Sequence, residues 1–183
     1  MEEKQRKTVF HEVLSSKVLP PSEKTVERLS NEVRTLVAAG SETTANVLRV
    51  ATFHLATNPS MAQRLRNEIQ SVQPDAHTPA TWRQLEQLPY LTGVAMESIR
   101  LSYGVSTRLP RISPNETLVY GKYAIPPGTP VSMSNALLLK HEDVYDNPEA
   151  FRPERWLDPV EKKRQERYFQ PFSKGTRGCL GMQ

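Results

Sequence analysis

The feature that most restricts the fold of this chain is a glycine-bounded cysteine close to its C-terminal end. Five residues follow the spacing Phe-x-x-Gly-x-Arg-x-Cys-x-Gly, namely Phe172, Gly175, Arg177, Cys179 and Gly181. Glycine adopts positive φ and lets backbone approach closely, so this stretch can fold tightly around one sulfur. Loop N–H groups and the Arg177 cation would favour the thiolate form of Cys179. The spacing therefore indicates a single thiolate ligand, although a lone cysteine is more often a small buried side chain.

A single thiolate suits one axial position of a haem iron, because the porphyrin itself supplies the four equatorial ligands. Cys179 is the only cysteine in the sequence. The four histidines show no metal-ligand spacing, and we interpret them as structural or exposed. The loop over residues 172–181 is therefore predicted to bind haem iron through Cys179.

Composition narrows the class of protein further. The chain has 183 residues and one cysteine, which excludes an internal disulfide and fits a reducing compartment. No apolar run approaches the ~20 residues that cross a bilayer, and the charged start, residues 1–4, does not resemble a signal peptide. We expect a soluble, intracellular chain. The net charge of +4 comes without interleaved basic and aromatic residues, so nucleic-acid binding is not expected.

Periodicity and proline spacing predict a mainly helical α+β chain with a small antiparallel β-sheet. The predicted elements are a long helix over residues 22–57 with Ser22 as its cap, a helix over 91–102, strands over 106–134, an irregular meander over 147–159 and the cysteine loop over 172–181. A further helix is predicted to start at Pro59 with Asn58 as its cap, and a short one lies near residues 81–88. Proline and glycine at residues 126–128 predict a type II turn.

Small polar residues occupy the centre of the long helix, at residues 39–44. A glycine inside a helix costs about 1 kcal/mol relative to alanine, and side-chain hydroxyls compete for backbone carbonyls. These residues would weaken or bend the helix. One interpretation is a helix–helix crossing that needs small side chains. The other is a pocket element, in which Gly40 lets a ligand approach while Thr43 and Glu42 handle protons.

Charged residues outside the loop have two interpretations each. Glu97 and Arg100 lie at i, i+3 on one helix face, which by itself indicates a surface pair contributing a few tenths of a kcal/mol. The charge run over residues 161–167 is either a solvated helix face or loop, or a docking patch for an acidic partner. In the second case the patch would consist of the neighbouring cations, which are Lys162, Lys163, Arg164, Arg167 and Lys174.

Together these motifs resemble those of the cytochrome P-450 family, in the family's order, and in particular its fungal microsomal-type members. The resemblance implies that Cys179 ligates the iron of haem b. It implies that Phe172, Gly175 and Gly181 shape the haem-binding loop, and that Arg177 and Arg111 pair with the haem propionates. Arg108 is the alternative to Arg111.

The same resemblance assigns roles to the two helical motifs. Gly40 would lie over the haem, with Glu42 and Thr43 as the acid–alcohol pair that assists O–O cleavage. Glu97 and Arg100 would form a buried structural network with a third residue from the meander, Arg155. The residue after Arg155, Trp156, stands where the family more often has phenylalanine.

The function implied is that of a haem-thiolate monooxygenase, which inserts one oxygen atom of O2 into a small lipophilic substrate. Electrons would arrive from a flavoprotein, an NADPH-dependent reductase. Full-length relatives are usually anchored to the endoplasmic-reticulum membrane on its cytosolic face. The chain would correspond to the C-terminal portion of the family fold, truncated at both ends, which raises the alternative of a non-catalytic fragment. A haem-thiolate isomerase or peroxygenase is the other alternative, and would be expected to lack the Glu42–Thr43 pair.

Overall fold

The computed structural model describes residues 8–75 and 77–182 and shows a mainly helical chain with two small antiparallel sheets. The charged start at residues 1–4 lies outside the described residues. The chain divides into two compact units, residues 1–44 and 45–183. Among the described residues, no helix is both long enough and apolar enough to cross a membrane.

The first unit contains helix α1, Val9–Ser15, a 3-10 turn at Pro21–Glu23 and the beginning of helix α2, Val26–Thr57. Helix α1 is capped by Thr8, whose hydroxyl accepts from the N–H of His11. Helix α2 begins at Val26, one turn later than the predicted start at Ser22. The reason is that Thr25 provides the capping hydroxyl, accepting from the Arg28 N–H at 3.2 Å, while the residues around Ser22 wind as the 3-10 turn.

The second unit contains the end of α2 and helices α3, Pro59–Val72, α4, Trp82–Leu85, and α5, Pro89–Ser102. Asn58 precedes α3, but its side chain makes no capping bond to that helix; its Nδ2 donates to the His54 carbonyl at 2.7 Å instead. Helix α5 begins two residues before the predicted 91–102 range, because Pro89 occupies its first position, where a missing N–H costs nothing.

The strands are shorter than predicted and form two separate sheets. Strand β1, Arg111–Ile112, pairs with β4, Pro130–Val131, and β2, Leu118–Tyr120, pairs with β3, Tyr123–Ile125. The antiparallel strands predicted over residues 106–134 thus form two sheets rather than one, because prolines interrupt this segment and remove ladder donors at positions 110, 114, 126, 127 and 130. Gly128 has φ +80 and the Thr129 N–H donates to the Pro126 carbonyl, as a type II turn requires.

The C-terminal third continues with helix α6, Asn135–Leu139, a 3-10 turn at Pro153–Trp156 and helix α7, Pro159–Glu166. The predicted meander therefore contains the 3-10 turn and ends where α7 begins. Asp158 caps α7 by accepting from the N–H groups of Val160 and Glu161. Residues 161–166 of the charge run lie on this helix, and Arg167 is its C-cap.

The core of the second unit consists of two clusters that meet around α5. The first cluster has four buried members, Tyr90, Val94, Leu101 and Phe151. The second is built on Val144, Tyr145 and Trp156, with Met96 and Phe169 packed against it. The buried face of α5 thus packs against the 3-10 turn at Pro153–Trp156 in the core of this unit.

Candidate functional site: the cysteine loop and the buried carboxylate behind it

The cysteine loop is a tight, hydrogen-bonded turn that leaves its sulfur open. The Cys179 N–H donates to the Phe172 carbonyl at 2.8 Å, which closes the loop at its base. Two 3-10 turns, Gly175–Arg177 and Leu180–Met182, lie on either side of the cysteine. The thiol is free and exposed. The loop encloses a cup of about 370 Å³, lined by residues that include Phe172, Gly175 and Cys179.

Glycine is required at the turn that begins the loop. Gly175 has φ +75, a left-handed conformation that side chains with a Cβ rarely adopt. A Cβ at Gly181 would lie 3.8 Å from Cys179 Sγ, so glycine keeps that side of the sulfur open. Within the described residues no N–H donates to Sγ, and the N–H of Cys179 donates to the Phe172 carbonyl.

The donor set fits a haem. Cys179 supplies the thiol of this cup, and no group of three His, Cys, Asp or Glu side chains among residues 8–75 and 77–182 forms an alternative metal site. A porphyrin brings its own four nitrogen ligands and needs one axial ligand from the protein. The exposed Cys179 sulfur, in a cup whose lining includes Gly175 and Gly178, can provide that one axial ligand.

The arginines assigned to the propionates lie in different environments. Arg177 ends the 3-10 turn two residues before Cys179 and is exposed. Arg111 is exposed on β1, and its Nη1 donates to the neighbouring Pro110 carbonyl at 3.1 Å. Arg108 is also exposed, in the segment before β1. The pairing of these arginines with the haem propionates stays a prediction.

The small polar motif lies inside α2, which remains an unbroken α-helix through residues 39–44. The Thr43 hydroxyl donates to the Ala39 carbonyl at 2.7 Å, the i−4 bond that competes with the helix ladder. Glu42 is exposed. Apart from its own chain neighbours and the adjacent turns of the helix backbone, no described atom lies within 4 Å of the position that a Gly40 Cβ would take, so this face of the helix is open at Gly40. The motif did not interrupt the helix.

A buried carboxylate organises the second unit. Glu97 and Arg100, both on α5, are fully buried and joined by two bonds, Nε to Oε2 at 2.9 Å and Nη2 to Oε1 at 2.8 Å. Arg155, from the 3-10 turn, adds a bond from its Nε to Glu97 Oε1 at 3.0 Å. The structure thus brings together the three residues of the predicted network, and burial excludes the surface-pair interpretation of Glu97 and Arg100.

The network also ties distant backbone segments to α5. Arg100 Nη1 donates to the carbonyl of Leu139 at 2.8 Å, and Arg155 Nη1 donates to that of Asp146 at 3.1 Å. The Arg152 N–H donates to Glu97 Oε1 at 3.0 Å. Buried guanidinium groups need such partners, because an unpaired buried charge is costly. One carboxylate therefore fixes the meander against α5.

Electrostatics keep Glu97 ionised. Burial by itself would raise the pKa of Glu97, but hydrogen bonds and charge from Arg100, with the charge of Arg155, outweigh it and hold the pKa below its usual value. Burial lowers the pKa of Arg155, and the Glu97 carboxylate opposes that effect. Arginine keeps its charge in proteins, so the cluster is a carboxylate between two guanidinium groups.

Two contributors to this arrangement were not found from the sequence. Trp156 donates its indole N–H to Glu97 Oε2 at 2.9 Å. Glu68, on α3, accepts from the N–H groups of Tyr90 and Leu91 at 2.9 and 2.8 Å. It thereby caps α5, whose own N-cap residue, Leu88, has no side chain able to do so. The absence of a Ser, Thr, Asp or Asn before Pro89 was the available signal that another segment supplies the cap.

Gly93 allows the 3-10 turn to lie directly against α5. A Cβ at this position would stand 2.7 Å from the Pro153 carbonyl oxygen, too close for any side chain. We expect Gly93→Ala to lower the free energy of unfolding by about 1–3 kcal/mol, the usual cost of overpacking, despite the better helix propensity of alanine. Urea unfolding measures the change. The control is Ala95→Gly at an exposed position of the same helix. A stabilised Gly93→Ala variant would mean that the turn shifts freely away from α5.

Comparison with known proteins shows the family. Residues 2–183 match the family described as Cytochrome P450. The chain is 43% identical over 183 residues to the cytochrome P450 monooxygenase astB of Aspergillus terreus, covering 100% of this chain and 36% of that protein. It is 44% identical over 186 residues to the cytochrome P450 monooxygenase tpcC of Cochliobolus heterostrophus, covering 98% of this chain and 35% of that protein.

A third relative, the cytochrome P450 monooxygenase sdnE of Sordaria araneosa, is 45% identical over 179 residues, 96% of this chain and 34% of that protein. The chain thus spans about a third of the length of these curated relatives. It belongs to the cytochrome P450 family. The family membership, the fungal relatives and the mainly helical fold expected from the motifs are confirmed.

Proposed function

We propose that this protein acts as a haem-thiolate monooxygenase in which Cys179 provides the axial ligand to the iron of haem b. The observation that carries the proposal is the exposed Cys179 sulfur, in a cup whose lining includes Gly175 and Gly178, on a loop closed by the Cys179–Phe172 hydrogen bond. When bound, the haem supplies O2 activation and oxygen transfer, which thiolate donation to the iron favours. The substrate would be a small lipophilic molecule, and electrons would come from an NADPH-dependent flavoprotein at the endoplasmic-reticulum surface.

The chain's own residues have distinct tasks in this proposal. Cys179 holds the iron, and Phe172, Gly175 and Gly181 give the loop its shape. Exposed guanidinium groups at Arg177 and Arg111, or at Arg108 in place of Arg111, bind the two propionates by charge-assisted hydrogen bonds. Glu97, Arg100 and Arg155 serve the structure alone, since they are buried and bonded to each other.

Isotope labelling tests the reaction class directly. The full-length product of the gene, supplied with a flavoprotein reductase, NADPH and ¹⁸O2, should add one labelled oxygen atom to small lipophilic compounds. The product mass should rise only when NADPH and O2 are both present. Product formation from hydrogen peroxide alone would favour the peroxygenase alternative, and rearranged product without added oxygen would favour the isomerase.

Thr43 and Glu42 would deliver protons. The Thr43 hydroxyl hydrogen points to the Ala39 carbonyl, which leaves the oxygen lone pairs free to accept a hydrogen bond from outside the helix. Glu42, the adjacent exposed carboxylate, would replenish the proton. Gly40 keeps the same stretch of helix open to a ligand.

We expect Thr43→Ala to divert electrons into hydrogen peroxide while haem content stays unchanged, because misplaced proton delivery commonly costs about 10²–10⁴ in rate. Peroxide formed per NADPH consumed measures this uncoupling. Thr44→Ala, at the adjacent exposed hydroxyl, is the matched control. Equal coupling in the two variants would reduce Thr43 to a helix-packing residue.

An acidic electron donor would dock against the cations near the cysteine loop. The structure narrows this set, since Arg164 is bonded to Glu161 and to the Val144 carbonyl, and Lys162 faces Glu166 at 3.9 Å. Lys163 and Arg167 are exposed one turn apart at the end of α7, and Lys174 is exposed at the start of the loop. These three cations are the remaining candidates for the docking patch.

Reversing two of these charges, with Lys163→Glu and Arg167→Glu together, should slow the first electron transfer several-fold at low salt. Charge attraction acts mainly on association and is screened over about 8 Å at physiological ionic strength, so the difference should shrink as salt rises. Stopped-flow reduction at several ionic strengths measures it. Lys17→Glu, an exposed lysine remote in sequence, is the control. If the double variant transfers the first electron as fast as the parent protein at low salt, these cations have no docking role and are only solvated surface residues.

A further inference from the structure

The Trp156 indole makes two kinds of contact. Its N–H bonds to Glu97 on α5, and its ring packs against Phe169, which precedes the cysteine loop. Its N–H donates to Glu97 Oε2 at 2.9 Å, with both side chains buried. Glu97 Oε1 accepts three bonds, whereas Oε2 accepts one from Arg100 Nε besides that of the indole. The indole N–H is therefore one of the two donors to Oε2. A phenylalanine ring would leave it with one donor.

The ring of Trp156 packs against the segment that leads into the cysteine loop. Phe169 meets it edge-on, with ring centroids 5.0 Å apart, in the geometry that aromatic pairs prefer. Three residues later, the Phe172 carbonyl accepts the Cys179 N–H at 2.8 Å. Between them, the Gln170 carbonyl accepts from Asn135 Nδ2 at 3.0 Å and from the Ser173 N–H at 3.1 Å. Contacts thus run from Glu97 through Trp156 to Phe169, and the backbone from Phe169 to Phe172 leads on to the bond with Cys179.

We propose that Trp156 is a positioning residue, whose N–H bond to Glu97 and edge contact with Phe169 hold the cysteine loop in its ligating shape. The inference rests on the proposed function, because it takes Cys179 as the haem ligand. Trp156 touches neither substrate nor haem in this account. It orients the ring on which Phe169 rests, and Phe169 fixes the base of the loop. A residue that only filled space would be replaced by a ring of the same shape without the N–H, with no effect on the loop.

The test separates the hydrogen bond from the volume. Trp156→Phe removes the N–H and part of the ring, whereas 3-benzothienylalanine at position 156 replaces N–H by sulfur and keeps the bicyclic shape. Phe169→Leu interrupts the second contact. Trp82→Phe is the matched control, since Trp82 is 75% exposed. All variants are made in the full-length holoprotein.

Two readouts report on the loop. Hydrogen exchange of the peptide that contains residues 172–182 measures opening of the Cys179–Phe172 bond and needs no assumption about the iron ligand. The pH at which the ferrous carbon-monoxide complex changes from the thiolate to the thiol form measures how well the loop holds the thiolate. A role in overall stability alone would accelerate exchange throughout the chain and leave that pH unchanged.

We expect exchange in residues 172–182 to accelerate several-fold in Trp156→Phe, in the benzothienylalanine variant and in Phe169→Leu, and the transition pH to rise in all three. Trp82→Phe should behave as the parent does. If the benzothienylalanine variant exchanges at the parental rate, the N–H has no positioning role and the inference is overturned. If Phe169→Leu is the one variant whose residues 172–182 exchange at the parental rate, the contact between Trp156 and Phe169 does not position the loop. A parent protein without a thiolate spectrum would contradict the proposed function, while the exchange data would still decide the coupling.

Discussion

Cys179→Ala should abolish oxygenation by this protein and release its haem. The cup holds one thiol, and its other lining residues, which include Lys174 and Met182, offer no thiolate to the iron. Thiolate donation, which favours O–O cleavage, would be lost together with the attachment. Haem content per polypeptide and substrate turnover measure the two effects, and we expect turnover to vanish completely.

The control for this variant is Thr176→Ala, an exposed position in the same loop. It should keep both haem and turnover, because it changes neither the sulfur nor the Cys179–Phe172 hydrogen bond. Retention of tightly bound, active haem by Cys179→Ala would show that another residue ligates the iron, and the assignment of the site would be wrong.

Glu97→Gln should cause the largest loss of stability of any single substitution in the buried network. The change leaves the Arg100 and Arg155 guanidinium groups without a counter-charge at positions that are 0% and 6% exposed. Removing one partner of a buried ion pair typically costs about 3–5 kcal/mol. The amide also replaces one acceptor oxygen by a donor that would face Arg or Trp donors. Urea unfolding of the full-length holoprotein measures the change, with the exposed Glu142→Gln as control.

A loss within the error of the Glu142→Gln control would contradict this account, because it would mean that the two arginines find other partners. Acid unfolding measures the contribution of Glu97 to stability in a second way. The folded-state pKa of Glu97 lies below its usual value, so its stabilisation is complete above the normal glutamate range and is lost as pH falls through the lowered pKa. The parent protein should therefore lose stability on acidification more steeply than Glu97→Gln, which lacks that titration.

Local sequence patterns predicted the helices well but not how each one starts. Pro59 and Pro89 mark the first turns of α3 and α5, as proline at a first helical position indicates. The start of α2 was assigned to Ser22, although the hydroxyl of Thr25 makes the capping bond. Two plausible caps three residues apart cannot be ranked by pattern, because the choice depends on how the preceding Pro20–Pro21 segment winds.

The buried network shows where sequence reasoning stops. Glu97 and Arg100 were identifiable as a pair, and the resemblance supplied Arg155 as their partner. Trp156, however, was noted only as a departure from phenylalanine, and its bond to Glu97 joins residues 59 positions apart. Glu68 reaches across 22 positions to cap α5. Such contacts follow from packing rather than from local periodicity, so a single sequence does not reveal them.

The cysteine loop is the opposite case, because its chemistry depends on residues adjacent in sequence. The spacing from Phe172 to Gly181 identified the sulfur, the positive-φ glycine and the neighbouring arginine at once. The hydrogen bond from the Cys179 N–H to the Phe172 carbonyl was not predicted.

The central claim is that the Cys179 thiolate ligates a haem iron, and one spectrum tests it most directly. The full-length holoprotein is reduced, exposed to carbon monoxide and compared with the reduced protein before addition. A thiolate opposite carbon monoxide gives the long-wavelength Soret band, and we predict that band as the main species at neutral pH, absent from Cys179→Ala. A complex whose Soret band stays at the short-wavelength position of a neutral axial ligand would contradict the account.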